Sequence, residues 1–390
     1  MKRAIAITLF TLAALLVGAK WLNQFSENAD AAPELSVASV MGSADTAGFA
    51  RAFAPRAFVF PADHGPHPDF RTEWWYYTGN LQTANGRHFG YQFTLFRTAL
   101  SADTTARESE MAANQLYMGH FALSDIQNDN YYYFERFSRA ANGLAGAQAA
   151  PFRVWLEDWQ TADPDADSTA AFTKMRIDAA AEGVSLNIEL TPEKPHVLQG
   201  DRGLSQKSAK PGNASYYYSL TRMTAEGSVS VNGETLAVNG LSWMDREWST
   251  SALGDNQVGW DWFSLQLSDN SELMYYQLRL TSGEADPYSK GLLVAPDGAS
   301  QFIKRDDVSL TVREYWDSPR GGRYPAGWWL QVPEQQIDLQ ISPLIANQEL
   351  NVAIRYWEGA VKIDGTAYGK PVSGYGYVEL TGYAEKKEKG

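Results

Sequence analysis

Glu226-Gly227-Ser228-Val229-Ser230-Val231-Asn232-Gly233 alternates apolar and polar residues up to an Asn-Gly pair, and Glu358-Gly359-Ala360-Val361-Lys362-Ile363-Asp364-Gly365 repeats the pattern 132 residues later. Asn-Gly and Asp-Gly tolerate the positive φ angles of a two-residue hairpin turn, so each block reads as a strand entering a tight turn. The likeness continues in Val238-x-Gly240-x-x-Trp243-Met244-Asp245 and Val372-x-Gly374-x-x-Tyr377-Val378-Glu379, now at an offset of 134. Upstream, Trp74-Trp75-Tyr76-Tyr77 and Gly90-Tyr91-Gln92-Phe93 echo Trp260-Asp261-Trp262-Phe263 and Tyr275-Tyr276-Gln277-Leu278 more faintly. A duplicated β unit, about 58–248 and 249–385, produces this pattern; chance likeness of two hairpins is the competing explanation.

The rest of the chain reads the same way. Val184, Leu186, Ile188 and Leu190 alternate with polar residues, as do Ile337, Leu339 and Ile341, which marks half-buried strands at period two. Asp269-Asn270 and Asp297-Gly298 are further turn signals, and the stretches near 100–115, 160–168 and 200–213 read as loops. An antiparallel unit of about eight strands hides its edges by closing into a barrel or folding into a sandwich. Such a barrel has room inside for side chains or one apolar ligand, so binding inside a barrel or between two is the default expectation.

Composition narrows the chemistry. A formal charge of −13 and a pI near 4.9 oppose binding to a phosphate backbone, which excludes nucleic acid as a partner. With no cysteine there is no thiol nucleophile, disulfide or thiolate metal site. No Gly-x-Ser-x-Gly elbow, phosphate loop or dinucleotide fingerprint occurs, and no cofactor is expected. His64-Gly-Pro-His67 with Asp63 and Asp69 sits in a stiff Pro-containing stretch, and no metal is expected there.

Met1-Lys2-Arg3 followed by the uncharged run Ala4–Ala19 and Lys20 has the form of a signal peptide, with an uncleaved anchor as the alternative. Residues 1–31 are accordingly expected to direct export to the periplasm or cell envelope, and 32–57 to be a linker. Removal of Lys2, Arg3 and Lys20 takes the charge from −13 to −16.

At Glu73-Trp74-Trp75-Tyr76, Gly119-His120-Phe121-Ala122-Leu123-Ser124-Asp125, Asn239-Gly240-Leu241-Ser242-Trp243-Met244-Asp245-Arg246-Glu247-Trp248 and Gly374-Tyr375-Gly376-Tyr377-Val378-Glu379-Leu380-Thr381-Gly382-Tyr383 the chain resembles the AttH-like family, which also contains the carotenoid 1,2-hydratases. The resemblance implies an all-β fold of two tandem lipocalin-like, calycin-type antiparallel β-barrel domains. It implies an exported or envelope-associated protein, at times a companion of an ABC transporter. For the hydratase branch it implies cofactor-free addition of water across a terminal isoprenoid double bond. This chain departs from that branch in carrying Arg246 where the hydratases have a His, and Gln277 about where they have an Asp.

Adding water to an unactivated alkene needs a proton donor, a stabilised cation and a held water. A carboxyl in an apolar cavity can keep its proton, and Trp and Tyr faces attract a cation. Asp245, Glu247 and Tyr275 are therefore the catalytic candidates. Trp74, Trp75, His120, Trp243, Arg246, Trp248, Trp260, Trp262, Tyr276 and Gln277 are the ligand-binding candidates, for an apolar or amphiphilic small molecule. Alternatives stay open at three of these positions and at Glu73. Asp245 and Arg246 could form a structural ion pair, with the Trp residues as core. Glu73 could be a second acid or the partner of Arg97 or Arg279, and His120 a satisfied strand histidine rather than a base. Arg246 could hold an acidic head group or be occupied by Glu247 or Glu73.

Overall fold

In a computed structural model the described residues are 46–103, 113–165, 174–251 and 253–384, so the export segment 1–31 and residues 32–45 of the linker lie outside them. Strands account for nearly all regular structure, joined by four single-turn 3-10 helices among the described residues.

The first sheet contains β1 (Thr72–Gln82), β2 (His88–Ala99), β3 (Gln115–Asp125), β4 (Asn130–Arg139), β5 (Ala145–Ala149), β6 (Phe152–Leu156) and β7 (Trp159–Ala162). It continues with β8 (Met175–Ala181), β9 (Val184–Pro192), β10 (Val197–Leu198), β11 (Leu204–Gln206), β12 (Ala214–Val231) and β13 (Glu234–Ser249). Their order is β4-β3-β2-β1-β13-β12-β9-β8-β7-β6-β5, with β10 and β11 laid on β12. The second sheet contains β14 (Gln257–Leu267), β15 (Glu272–Leu280), β16 (Lys290–Val294), β17 (Ser300–Lys304) and β18 (Ser309–Asp317). It is completed by β19 (Arg323–Val332), β20 (Ile337–Pro343), β21 (Glu349–Leu350), β22 (Tyr356–Ala367) and β23 (Lys370–Leu380). Its order is β17-β16-β15-β14-β23-β22-β20-β19-β18, with β21 on β22.

The fold is all-β, with two curled, near-barrel antiparallel sheets of lipocalin-like plan, larger than the eight-strand units expected. Read outward from the centre, the two orders coincide: β1, β2, β3 and β4 take the places of β14, β15, β16 and β17, and β13, β12 and β9 those of β23, β22 and β20. Val231 and Ile363 thus fall in corresponding strands. The hairpin turns do not correspond, however. Asn232-Gly233 turns the first hairpin, whereas the second turns at Tyr368-Gly369, where φ is +52° and +73°. Asp364-Gly365 lies inside β22, paired with Ser373 and Val372. The strand on either side of it continues because Asp364 and Gly365 face paired partners on both edges, Gln340 and Leu339 on the other side. The tyrosine echo is displaced as well: relative to Trp74 and Trp260, the partner of Tyr276 in the first sheet is Thr94, since Tyr76 pairs with Thr94 and Trp262 with Tyr276. Part of the expected loop 160–168 is strand β7, and part of 200–213 is β11.

Three apolar clusters follow from the alternation of side chains along these strands. Trp75, Tyr77, Phe93, Leu95, Leu186, Ile188 and Met244 fill the first near-barrel, and Phe263, Leu265, Tyr275, Leu339, Ile341 and Val378 the second. The opposite faces of β1, β13, β14 and β23 are buried too, because Tyr76, Tyr217, Trp243, Trp262, Met274, Tyr276 and Tyr377 form a third cluster between the two sheets. These central strands therefore read as continuous apolar runs rather than clean alternation. Gly90 permits the approach, since a Cβ there would lie 2.4 Å from Ala360 Cβ. A bulge between Leu220 and Met223 turns Thr221 and Arg222 toward the second sheet. There both bond the buried Glu272 carboxylate, which Lys194 also holds at 2.8 Å.

Candidate functional site

A cavity lies where the outer faces of the two sheets meet, not inside either near-barrel. Its walls include Trp74, Tyr76, Phe96, Met118 and His120 from β1, β2 and β3; Tyr217, Asp245 and Glu247 from β12 and β13; and Trp260, Trp262, Tyr276, Tyr356, Glu358 and Glu379 from the second sheet. It offers about 120 Å³ to the centres of water-sized molecules.

Asp245 is the central carboxyl. It is 3 % exposed and accepts hydrogen bonds from Ser219 Oγ at 2.6 Å, from Trp243 Nε1 at 2.7 Å and from the Tyr217 hydroxyl. Tyr217 in turn accepts from Trp262 Nε1 at 3.2 Å, so donors from both sheets converge on one carboxyl. Burial outweighs these donors and pushes the Asp245 carboxyl up to about 7, with the Glu247 charge adding to the rise. The second sheet contributes two more. Glu379 is raised to about 7, again chiefly by desolvation and against a hydrogen bond from Trp260. Glu358 is fully buried and raised well above the usual carboxylate range by desolvation and by Glu379; Tyr76 donates to its Oε2 at 3.0 Å, and its Oε1 has no hydrogen-bond partner among the described residues. Three carboxyls raised by desolvation therefore face one aromatic cavity.

Glu247 is different. Lys207 Nζ lies 2.9 Å from it and Ser215 donates to it, which makes it a paired carboxylate rather than an acid. Lys207 itself sits 4.5 Å from the Tyr276 ring centre. His120 lines the opposite wall, with Nδ1 2.7 Å from the Tyr356 hydroxyl and Nε2 3.0 Å from Glu135 Oε1.

The expected site residues divide by strand face. Trp74, His120, Asp245, Glu247, Trp260, Trp262 and Tyr276 line the cavity, and Trp243 supports Asp245 from behind. Four candidates point away because they stand one residue out of phase with these. Trp75 is in the first core, its indole donating to the His64 carbonyl at 2.7 Å. Trp248 stacks on His67 at 3.7 Å between ring centres. Tyr275 is part of the second core. Gln277, half-buried opposite Asp261, shares the Tyr275 face rather than that of Tyr276. Arg246 is the fifth correction. Its guanidinium is fully buried, stacked 4.0 Å over Trp75, bonded to Glu73 and to the Gly65 carbonyl at 2.6 Å. It neither pairs with Asp245 nor reaches the cavity to hold a head group. Glu73, shared between Arg97 and Arg246, is held well below the usual carboxylate range by those two cations despite its burial.

Tyr356, Glu358 and Glu379 are absent from the residues expected at the site, although Glu358 opens the repeated hairpin block and the internal repeat sets Glu379 against Asp245; their spacing marks only strands.

Comparisons with known proteins agree with this architecture. The AttH-like family is matched over residues 51–383. The structure of a putative AttH from Nitrosomonas europaea superposes with a TM-score of 0.77 at 35 % identity, covering 86 % of this chain and all of the other. Kievitone hydratase from Fusarium solani subsp. phaseoli is 25 % identical over 255 residues, 63 % of this chain and 69 % of that protein. The kievitone hydratase structure from Nectria haematococca has the same fold, with a TM-score of 0.64 at 17 % identity over 86 % of this chain and 96 % of that one. A match spanning nearly every described strand, together with a full-length structural counterpart, places the chain in the AttH-like family.

Proposed function

We propose that the chain is a cofactor-free hydratase acting on an apolar alkene bound between the two sheets. The observation that carries this reading is the convergence of three carboxyls, Asp245, Glu358 and Glu379, on one aromatic wall system, where desolvation raises each above the usual carboxylate range. A neutral carboxylic acid in a desolvated site is a proton donor of the kind alkene hydration needs. Asp245 gives its proton to one alkene carbon. The cation at the other carbon is stabilised by the faces of Trp74, Trp260, Trp262, Tyr76 and Tyr276, and a water adds to it. The hydratase relative supports the reaction class. Arg246 and Gln277, which stand where the carotenoid hydratases carry their His and Asp, take no part here, because both side chains lie off the cavity.

The test is incubation of the purified chain with kievitone, a neutral monoterpene alkene and an acyclic carotenoid in H₂¹⁸O. Gain of one labelled water by any of them supports the reading, provided that Asp245→Asn abolishes the gain while still quenching cavity Trp fluorescence on binding. Binding of the panel without water gain would leave a carrier of apolar molecules and overturn the enzyme.

A further inference from the structure

The acid side of the reaction is crowded with candidates, whereas the water must lose a proton to a group that does not already hold one. We propose that His120, oriented by Glu135 and acting through the Tyr356 phenol, takes the proton of the attacking water; this rests on the hydration reading above.

The geometry is that of a dyad with a relay. His120 on β3 is paired with Thr94 of β2 on one side and Glu135 of β4 on the other. Its ring is 1 % exposed, packed 5.5 Å from the Phe96 ring. The Glu135 carboxylate also accepts from the Ala353 backbone N–H at 3.2 Å, and its side chain is 17 % exposed, so it stands where the site meets solvent. A carboxylate can only accept, which places the imidazole proton on Nε2 and leaves Nδ1 to accept from the Tyr356 hydroxyl. Tyr356 lines the cavity, so a water standing there can donate to its phenol oxygen while the phenol donates to His120.

Of the carboxylates on the lining, Glu73 is tied to Arg97 and Arg246. Of the five histidines, only His120 lines the cavity. Glu247 is tied to Lys207 and Ser215.

The step balances. Asp245 loses its proton to the alkene carbon and a C–H bond forms. The water oxygen bonds the cation, its proton passes to the Tyr356 oxygen, and the phenol proton moves to His120 Nδ1. The imidazolium is stabilised by Glu135 and returns its proton to solvent there, while Asp245 regains one, leaving alkene plus water converted to alcohol.

Glu135→Gln keeps the shape of the acceptor and removes its charge. With whichever alkene of the panel is hydrated, kcat is expected to fall about 100-fold with KM within about twofold, the size of a lost general base. Tyr356→Phe and His120→Gln should do likewise. The readout that a structural role would not move is isotopic. If protonation persists and water attack is slow, the cation reverts, and in D₂O the recovered alkene accumulates deuterium in these three variants but not in Asp245→Asn. Should Glu135→Gln and Tyr356→Phe hydrate at the unmodified rate, or lose rate without deuterium in the alkene, the dyad role is wrong while the hydratase reading stands. If the unmodified chain hydrates none of the panel, the hydratase reading itself fails, and this proposal with it.

Discussion

Asp245 and Glu379 occupy the same register position in two corresponding sheets and open into one cavity. Asp245 is paired with Tyr76 of β1 and Ser219 of β12, and Glu379 with Trp262 of β14 and Glu358 of β22. The duplicated strand thus brings an acid to the site from each half. Tyr217 and Tyr356, each two residues ahead of these partners on β12 and β22, are its matching phenols. The halves have diverged where Ser219 in one corresponds to Glu358 in the other, so one acid is cradled by hydroxyl donors and the other is set beside a second carboxyl. Burial raises both, and each carboxylate charge would oppose formation of the next.

Asp245→Asn should leave the fold intact and change its pH dependence. The amide oxygen can accept from Ser219 and Trp243, and the amide nitrogen can donate to the Tyr217 oxygen. Asp245 is raised from 3.8 to about 7, so the folded state binds the proton more tightly than the unfolded chain. Its contribution is therefore greatest below the unfolded value and is lost as pH rises toward 7, on the order of 4 kcal/mol over that span. Urea unfolding at pH 4 to 8 should show a shallower decline in the variant than in the unmodified chain. An unchanged slope would show that Asp245 ionises normally.

Turnover should fall as pH rises above about 7, because the acid form of Asp245 is then depleted. The expected profile loses about tenfold per pH unit above that midpoint, with Glu379→Gln shifting it downward by removing a neighbouring carboxyl. A profile that rises with pH through 7 would require a deprotonated Asp245.

How much of this was legible can be followed on single residues. The repeat pairing Asp245 with Glu379 was readable because an antiparallel hairpin keeps its apolar spacing, and register in the structure agrees with it. The neighbours were not separable from composition. Trp74 and Trp75 differ by one position, yet one faces the cavity and the other the first core, since a strand buried on both faces has no polar side to mark its phase. For the same reason Tyr275, expected at the site beside Tyr276, lies in the second core while Tyr276 lines the cavity. Asp364-Gly365 misled because a turn-forming dipeptide is also tolerated within a strand when both edges are paired. Lys207 was invisible, lying in a segment that read as a loop and reaching Glu247 only through the tertiary fold.

Truncating the wall should weaken binding without closing the site. Trp260→Ala removes a half-buried ring that supports Glu379, and Trp74→Ala removes its counterpart on the first sheet. Each is expected to reduce affinity for the panel alkene by about 10-fold or more, the cost of one lost aromatic face, while thermal unfolding shifts little. Titration followed by the remaining Trp emission measures both; equal affinity in the two variants and the unmodified chain would place the ligand elsewhere.

Arg246→Met should be a stability variant, with no effect on selectivity between acidic and neutral ligands. Glu73 lies fully buried between Arg246 and Arg97, and Arg97 also donates to the Phe70 carbonyl at 2.7 Å and the His67 carbonyl at 3.0 Å. Two cations around one carboxylate tie the segment 65–70 across one end of the first near-barrel. Removing Arg246 leaves Glu73 with Arg97 and the His67 backbone N–H, and the Gly65 carbonyl with one donor fewer, a loss of about 3–5 kcal/mol. The methionine keeps apolar contact with Trp75 but supplies no charge. Chemical denaturation should register the loss, whereas titrations with a fatty acid and the alcohol of equal chain length should give the same affinity ratio before and after the substitution. A ratio that changes would mean that Arg246 reaches the ligand after all, which its complete burial on the opposite face of β13 from Asp245 forbids.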